Sequence, residues 1–572
     1  MAKKISRVLG GGLRASSAAV LVALGLPGYA AGAEDGGDGV RLTWNNSVRY
    51  GLAARTRGQD PALTRNPNAD DGNRNFGKGL IVNRIELFSE LDAELRPGTG
   101  ARISGQAWYD TVYNRSNDNP GFAGGAVPNH FSAPANEFTA TTRRLHGRDA
   151  QLRDAFIFHK FDAAGRPVTV RLGQHALVWG ESLFFAGNAI AGAQSPFDIA
   201  RLQADPTAQA KEFVLPVPQI SGQVQLTPTT TVAAYYQFDW KPNRFPAVGS
   251  YFSTSDVFGP GAENMWVGPG ASVGRAPDLE PKKSGQGGVQ LRWSALETDF
   301  GLYAVRFHDK TPQLVTQVGM GPTGPRPIGF RHAYHEGTTA LGFSASRTFG
   351  DANIAVEASV RRNQVLASSG GTADASALLS VITGFPIPAS DNTDHPAYAV
   401  GKTAHLNVST IWTLQPSALW REAMLVGEVA WNRMLSCDKN CVSPAPGAAP
   451  ALDPNGKRDA LGLRLVFSPM YRQVAPGLDV AVPIGLGWSP RGSRSLAMGP
   501  GILPPDHGGD VTLGLAAVYN NTWNINLAYT HFLGRADTTL SSDPARASAP
   551  PFTYGQSLKD RNFVSLTVRR SF

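Results

Sequence analysis

The sequence predicts an all-β chain: a transmembrane, antiparallel, up-and-down β-barrel of about 18 strands with one long loop folded inward. Three observations predict it. The final stretch, DRNFVSLTVRRSF, places Val564, Leu566, Val568 and Phe572 on one face and Ser565, Thr567 and Arg569 on the other. That period of two marks a half-buried strand. Second, hairpins and long polar segments alternate along the chain, which gathers short turns at one rim and long loops at the other. Third, the mean hydropathy is close to zero, as expected when each strand averages an apolar face with a wet one. No apolar run of roughly 18 residues follows the N-terminal segment, so helical membrane spans are excluded.

At the start, Lys3, Lys4, Arg7 and Arg14 precede the apolar run ASSAAVLVALGL, ended by Pro27, and Ala31-Gly32-Ala33 supplies small residues for cleavage. Residues 1–33 read as a cleaved signal peptide, leaving 34–572 as the barrel. Its removal takes the formal charge from +8 to 8 − 4 = +4. No Lys/Arg block of nucleic-acid type is present. Cys437 and Cys441, in CDKNC, read as a small loop disulfide in an oxidising compartment. No further ligands lie near them, so no metal is assigned, and no cofactor fingerprint is found.

The first strand, VRLTWNNSVRYGLAA, sets Leu42, Trp44, Val48 and Tyr50 against Arg41, Thr43, Ser47 and Arg49. The next, LIVNRIELFSELDAEL, has helical propensity. Its Ile81, Ile85, Leu87 and Leu91 nonetheless oppose Arg84, Glu86, Glu90, Asp92 and Glu94, which argues for a strand lining water. Hairpins continue to the C-terminus. Trp523, Ile525, Leu527 and Tyr529 point outward, and Tyr236, Phe238 and Trp240 are expected in an interfacial aromatic girdle. Arg171, Arg292, Glu357, Arg361, Glu428 and Arg464 join Arg84, Glu86, Glu90 and Asp92 on the inner face. A charge facing lipid at mid-depth would cost about 2–4 kcal/mol.

Residues 174–217 are too apolar for a solvated loop: Trp179, Leu183, Phe184, Phe185, Ile190 and Phe197 would expose a large apolar area. The segment is expected to fold inward as a plug or constriction, with ALVWGESLFF and DIARLQAD as short helices. Trp179, Gly180, Glu181, Ser182, Phe184, Phe185, Phe197 and Asp198 are its expected gate or ligand contacts.

RLGQHALVWGES, SPFDIARL, KEFVLPV, YYQFDW and SYFSTSDVFGPGAE follow one another in an order that resembles the Gram-negative domain-of-unknown-function family numbered thirteen-oh-two. Trp179-Gly180-Glu181-Ser182, and Tyr251-Phe252-Ser253 with Asp256, carry the resemblance. It implies a barrel in the outer membrane of a Gram-negative bacterium, moving a hydrophobic small molecule of steroid, aromatic or lipid-like character. The implied partners are outer-membrane lipid and lipopolysaccharide, that cargo, and periplasmic proteins of an export or uptake system. In such barrels the C-terminal aromatic strand, here Val564, Leu566, Val568 and Phe572, is recognised by the barrel-assembly machinery. Arg570 departs from the usual residue and is expected to snorkel to headgroups.

Other readings stand beside this one. Arg84, Glu86, Glu90 and Asp92 could form the charged constriction of a diffusion porin for polar solutes, and a structural barrel is a further reading. Gly270-Ala271-Ser272-Val273-Gly274 matches a hydrolase nucleophile elbow, but that motif works only at a strand-to-helix turn. Ser182 beside His159 would be a barrel-embedded hydrolase. His332 and His335 read as a solvated loop, and Asp70-Asp71 as an Asn/Asp-rich turn or part of a calcium site. The expectation is a protein that is not an enzyme.

Overall fold

Strands that alternate polar and apolar residues have one face for water and one for an apolar surround, and closing the sheet removes its edges. The computed structural model describes residues 33–35, 40–121, 129–204, 209–268, 270–369, 372–442, 450–543 and 550–572. Residues 1–32, nearly all of the expected signal peptide, lie outside these. Ala33–Asp35 forms a short strand beside Arg41–Thr43.

Eighteen barrel strands follow in chain order. The first nine are β1 (Arg41–Arg55), β2 (Gly79–Arg96), β3 (Thr99–Asp110), β4 (Arg148–Ala163), β5 (Arg166–His175), β6 (Val217–Thr227), β7 (Thr230–Gln237), β8 (Gln286–Ala295) and β9 (Thr298–Phe307). The rest are β10 (Thr338–Phe349), β11 (Ala352–Val365), β12 (Val400–Leu414), β13 (Glu422–Lys439), β14 (Asp459–Ala475), β15 (Leu478–Ala481 with Ile484–Ser489), β16 (Gly508–Tyr519), β17 (Trp523–Leu533) and β18 (Phe563–Ser571). Each pairs antiparallel with its chain neighbours, and β18 pairs with β1, Val568 opposite Tyr50, to close the barrel. Phe572 completes the seam by exchanging backbone hydrogen bonds with Asn46 at 2.8 and 2.9 Å. The break in β15 falls at Pro483, which lacks the N–H a ladder needs, although its carbonyl still accepts from Gly514.

The connections alternate as expected. Two-residue turns at 97–98, 164–165, 228–229, 296–297, 350–351 and 476–477 lie at one end, and long loops such as 56–78, 111–147, 176–216 and 238–285 at the other. At 296–297 both turn residues, Leu296 and Glu297, have positive φ, 51° and 58°, the handedness a two-residue hairpin requires.

The faces separate cleanly. Trp44, Tyr50, Ile85, Leu87, Ile157, Leu302, Leu341 and Leu527 are exposed on the outside, while Glu86, Gln106, Gln290, Ser344, Glu357, Asn407 and Glu428 are buried within. Two expectations are corrected. Ile81 does not share the outer face of Ile85, because a bulge opposite Ala53/Ala54 turns Leu80 outward and Ile81 inward. Ile81 joins a buried cluster with Phe76, Tyr113, Phe138, Tyr251, Phe252 and Phe563. Trp240 is no girdle residue: Tyr236 and Phe238 are exposed, but Trp240 is buried edge-on against Tyr334, with ring centroids 4.8 Å apart. Arg570 lies over the ring of Trp523 at 5.3 Å, and Cys437 and Cys441 are disulfide-bonded.

Candidate functional site

The segment after His175 turns into the lumen, where charged side chains of the wall meet its backbone. Glu428 on β13 accepts the N–H groups of Leu183 (3.0 Å), Phe184 and Phe185 (3.1 Å). Its other oxygen accepts from the Ser182 hydroxyl and the Asn407 amide, both at 2.7 Å. Glu357 on β11 accepts the N–H groups of Glu181 and Ile190 at 2.6 Å each. Further along β11, Arg361 donates to the carbonyls of Gly187, Asn188 and Ala189 at 3.1, 3.0 and 2.9 Å. Bonds from an ionised group to backbone are roughly twice as strong as neutral ones.

These bonds explain why ALVWGESLFF is not the expected helix. Its N–H groups go to the wall carboxylates instead of to its own carbonyls. Gly180 has φ +98°, and a Cβ there would sit 2.3 Å from Glu357 Oε2. Only glycine allows the backbone so near the carboxylate. Trp179 packs edge-on to Tyr235 at 5.0 Å, in a cluster with Ile190 and Tyr303. Asn188 is held by His405, Asn407 and Asn432 at 3.0 Å each.

The second half of the segment is held by charge pairs. It carries α1 (Ile199–Ala204), within the expected DIARLQAD helix, and α2 (Ala210–Phe213); residues 205–208 lie outside the described set. Arg201 of α1 binds Glu86 at 2.6 and 2.7 Å. Glu212 of α2 binds Arg569 at 2.9 Å and Arg49 at 3.5 Å, and Arg49 also binds Glu86 at 2.9 Å. Asp198 accepts the N–H of Arg201 (2.9 Å) and pairs with Arg244 (2.8 Å). A two-residue bulge turns Arg153 inward, where it donates to the carbonyls of Lys211 and Val214.

The other expected lining residues lie on the inner wall with different partners. Arg84 joins the network through Glu86 at 3.0 Å, while Glu90 and Asp92 pair with Arg102. Arg292 reaches Glu181 at 3.4 Å, Arg464 pairs with Asp510, and Arg171 lies over the ring of Phe156. Phe184 and Phe185 pack on Ala430, Ala460 and Leu503, and Phe197 packs near Phe213. The rings of Trp179, Phe185 and Phe197 are therefore taken up by packing. A cavity of about 80 Å³ remains between α1 and the wall, bordered by Arg49, Arg84, Trp108, Asp110, Tyr113, Arg201, Arg244 and Phe252.

Arg49, Arg201, Glu212 and Arg569 were not singled out by sequence reasoning. Arg49 and Arg569 did fall on the polar faces of their strands, and that was the available signal. Residues 270–274 lie in a hairpin, Asn264–Gly268 with Ala271–Gly274, and not at a strand-to-helix turn. Ser182 donates to Glu428, while His159 bonds Thr99 beside a short turn. His332 and His335 are buried, against the solvated-loop reading, because the long loop folds into a hairpin, Gln313–Gly321 with Gly324–Ala333. His332 bonds the Val257 carbonyl and His335 the Tyr398 hydroxyl.

A closed barrel with an apolar exterior, short turns at one end and its own chain bound in the lumen defines a β-barrel of the outer-membrane type. The chain belongs to the family described as protein of unknown function (DUF1302), which it matches over residues 13–572. No curated protein matches the sequence. Among solved structures, OccAB1 of Acinetobacter baumannii is similar at 10% identity over 93% of this chain and 96% of that one, with a TM-score of 0.41. OmpF of Salmonella typhi in complex with daunomycin is similar at 7% identity over 94% and 99%, TM-score 0.37. OprB of Pseudomonas putida is similar at 11% identity over 93% and 94%, TM-score 0.35.

Proposed function

We propose that the chain is an outer-membrane channel or transporter of a Gram-negative bacterium, held narrow by residues 176–216, that moves a small, largely apolar molecule. One observation carries this reading: three buried wall charges, Glu357, Arg361 and Glu428, direct their hydrogen bonds at the backbone of that segment. A barrel of this strand number is wide enough for an aqueous channel, and the segment takes up that width. Its gate residues, which meet cargo once the segment moves, are Trp179-Gly180-Glu181-Ser182, Phe184, Phe185, Phe197 and Asp198. The cavity of about 80 Å³ is bordered by Trp108, Tyr113 and Phe252 but is smaller than a ring-bearing cargo needs, so in this reading such cargo passes only when residues 176–216 shift.

In this reading residues 1–33 direct secretion, the short turns face the periplasm and the long loops the exterior. Val564, Leu566, Val568 and Phe572 present the strand that the assembly machinery engages, in a bilayer of lipid and lipopolysaccharide. Periplasmic proteins of an export or uptake system hand over or receive the cargo. The alternative, a diffusion porin for polar solutes, is favoured by Arg49, Arg84, Arg201 and Arg244 around the same cavity.

Single-channel recording in planar bilayers, before and after adding a steroid or fatty acid, separates the two. Small conductance that the ligand alters is the expected result. Large, steady, ohmic conductance indifferent to the ligand would establish the porin instead.

A further inference from the structure

Loops at the long-loop end bury acids against one another. Asp70 and Asp71 open the helical turn Asp71–Arg74 in the loop after β1, and Asp256 reaches them from the loop between β7 and β8. Their residues are 1%, 3% and 0% exposed, and one oxygen of each lies within 4.8 Å of the others. The two loops meet so closely that a Cβ on Gly72 would lie 2.4 Å from the Ser253 carbonyl.

The available donors reach only part of this oxygen. Asp256 Oδ2 accepts the N–H groups of Asp70 (2.8 Å) and Asp71 (3.2 Å). Asp71 Oδ1 accepts from the Asn119 amide, and Asp70 Oδ2 pairs with Arg74 at 3.3 Å. Asp70 Oδ1, Asp71 Oδ2 and Asp256 Oδ1 are buried and accept no hydrogen bond, among the described residues. His130 Nδ1 lies 3.4 Å from Asp71 Oδ2 and forms an ion pair with it when the imidazole is protonated. Arg561, the nearby buried cation, donates to the carbonyls of Tyr251 and Ser253. Asp256 is the telling residue. It is fully buried, comes from a separate loop, and brings a third carboxyl with an oxygen lacking any donor to a site that already holds two.

Buried carboxylates need a partner, since taking a charge out of water without one costs several kcal/mol. We propose that Asp70, Asp71 and Asp256 hold a hard divalent cation, calcium, that ties the loop after β1 to the loop between β7 and β8 over the barrel mouth. The donor set is all oxygen, which selects calcium or magnesium over the softer metals. Calcium suits loop-borne carboxylates, because it accepts irregular coordination where magnesium demands an octahedron and keeps its waters. The acid–base state of the site agrees. Burial, and then the charge of Asp71, push Asp70 up to about 7. Burial, with Asp71 and Asp70 beside it, raises Asp256 well above the usual carboxylate range. Arg74 is the cation paired with Asp70, and Asp256 makes no ion pair among the described residues; a bound cation supplies the remaining countercharge.

The test uses the full-length barrel in detergent, stripped with a chelator and titrated calorimetrically with calcium or magnesium. The expected result is one calcium per barrel with a Kd of roughly 10⁻⁴–10⁻³ M, the range of extracellular sites, and magnesium at least tenfold weaker. Asp256→Asn should weaken calcium at least tenfold, while Glu297→Gln, at an exposed short turn, leaves it unchanged. Hydrogen exchange of residues 66–76 in the unmutated protein provides a readout that does not depend on a variant folding, and calcium should slow it. Absence of saturable calcium binding, unchanged exchange, or equal binding by folded Asp256→Asn would each overturn the site and leave three carboxyls sharing protons.

Discussion

Glu428 holds more of the lumenal segment than any other single side chain described: three consecutive N–H groups and the Ser182 hydroxyl converge on its carboxylate. Leaving one buried donor unsatisfied costs about 1–3 kcal/mol, so Glu428→Ala should detach residues 182–185 while the barrel stays closed. Gly180→Ala should act alike from the other side, since its Cβ would collide with Glu357 at a positive φ. Limited proteolysis of folded barrels in detergent checks both: new cleavage near Phe184 is expected, and unchanged resistance would show that the wall charges do not restrain the segment. Asp70 gives a pH prediction. Asp71, Asp256 and Arg74 face it, with His130 beside Asp71 and Arg561 near Asp256, and its carboxyl is raised to about 7 from an unfolded value of about 3.9. A raised carboxyl contributes stability that is fully present below the unfolded value and is lost as pH rises through the folded one. In chelator, residues 66–76 should therefore exchange faster at pH 8 than at pH 5 after correction for intrinsic rates, and calcium should remove that dependence. Exchange that is flat with pH in chelator would contradict the assignment.

The hairpins were the most legible elements, because alternation and short turns are local properties of sequence. Leu296-Glu297 is an exception within them: two residues without a glycine hold positive φ, where asparagine or glycine is at ease. Leu296→Asn with Glu297→Gly should stabilise the barrel by about 1 kcal/mol, seen as a higher urea midpoint; a lower midpoint would mean the turn is not strained. What escaped reading was long-range. The bulge that turns Ile81 inward depends on its pairing with β1, and Trp240 leaves the outer belt because a distant ring, Tyr334, covers it. Glu212 and Arg569 lie far apart in sequence, so their ion pair exists only once the segment is inside the closed barrel. The inward course of residues 174–217 could be read from their apolar content. The way the segment is held could not, because it depends on Glu357, Arg361 and Glu428, which come from strands much later in the chain.

Taken together, the barrel has two layers of closure. Within the lumen, backbone-to-wall bonds fix one half of residues 176–216 and an Arg/Glu network fixes the other. Above it, aromatic rings from three long loops and Phe563 pack into one cluster, with the three acids beside them. In the proposed reading cargo enters by rearrangement of that one segment, and permeability should depend on it more than on the width of the barrel. The decisive measurement is the single-channel conductance of a barrel lacking residues 180–204, compared with the unmutated protein in the same planar bilayer. A large rise, with loss of any response to steroid or fatty acid, is the predicted result. A conductance unchanged by the deletion would contradict the claim that this segment narrows the lumen.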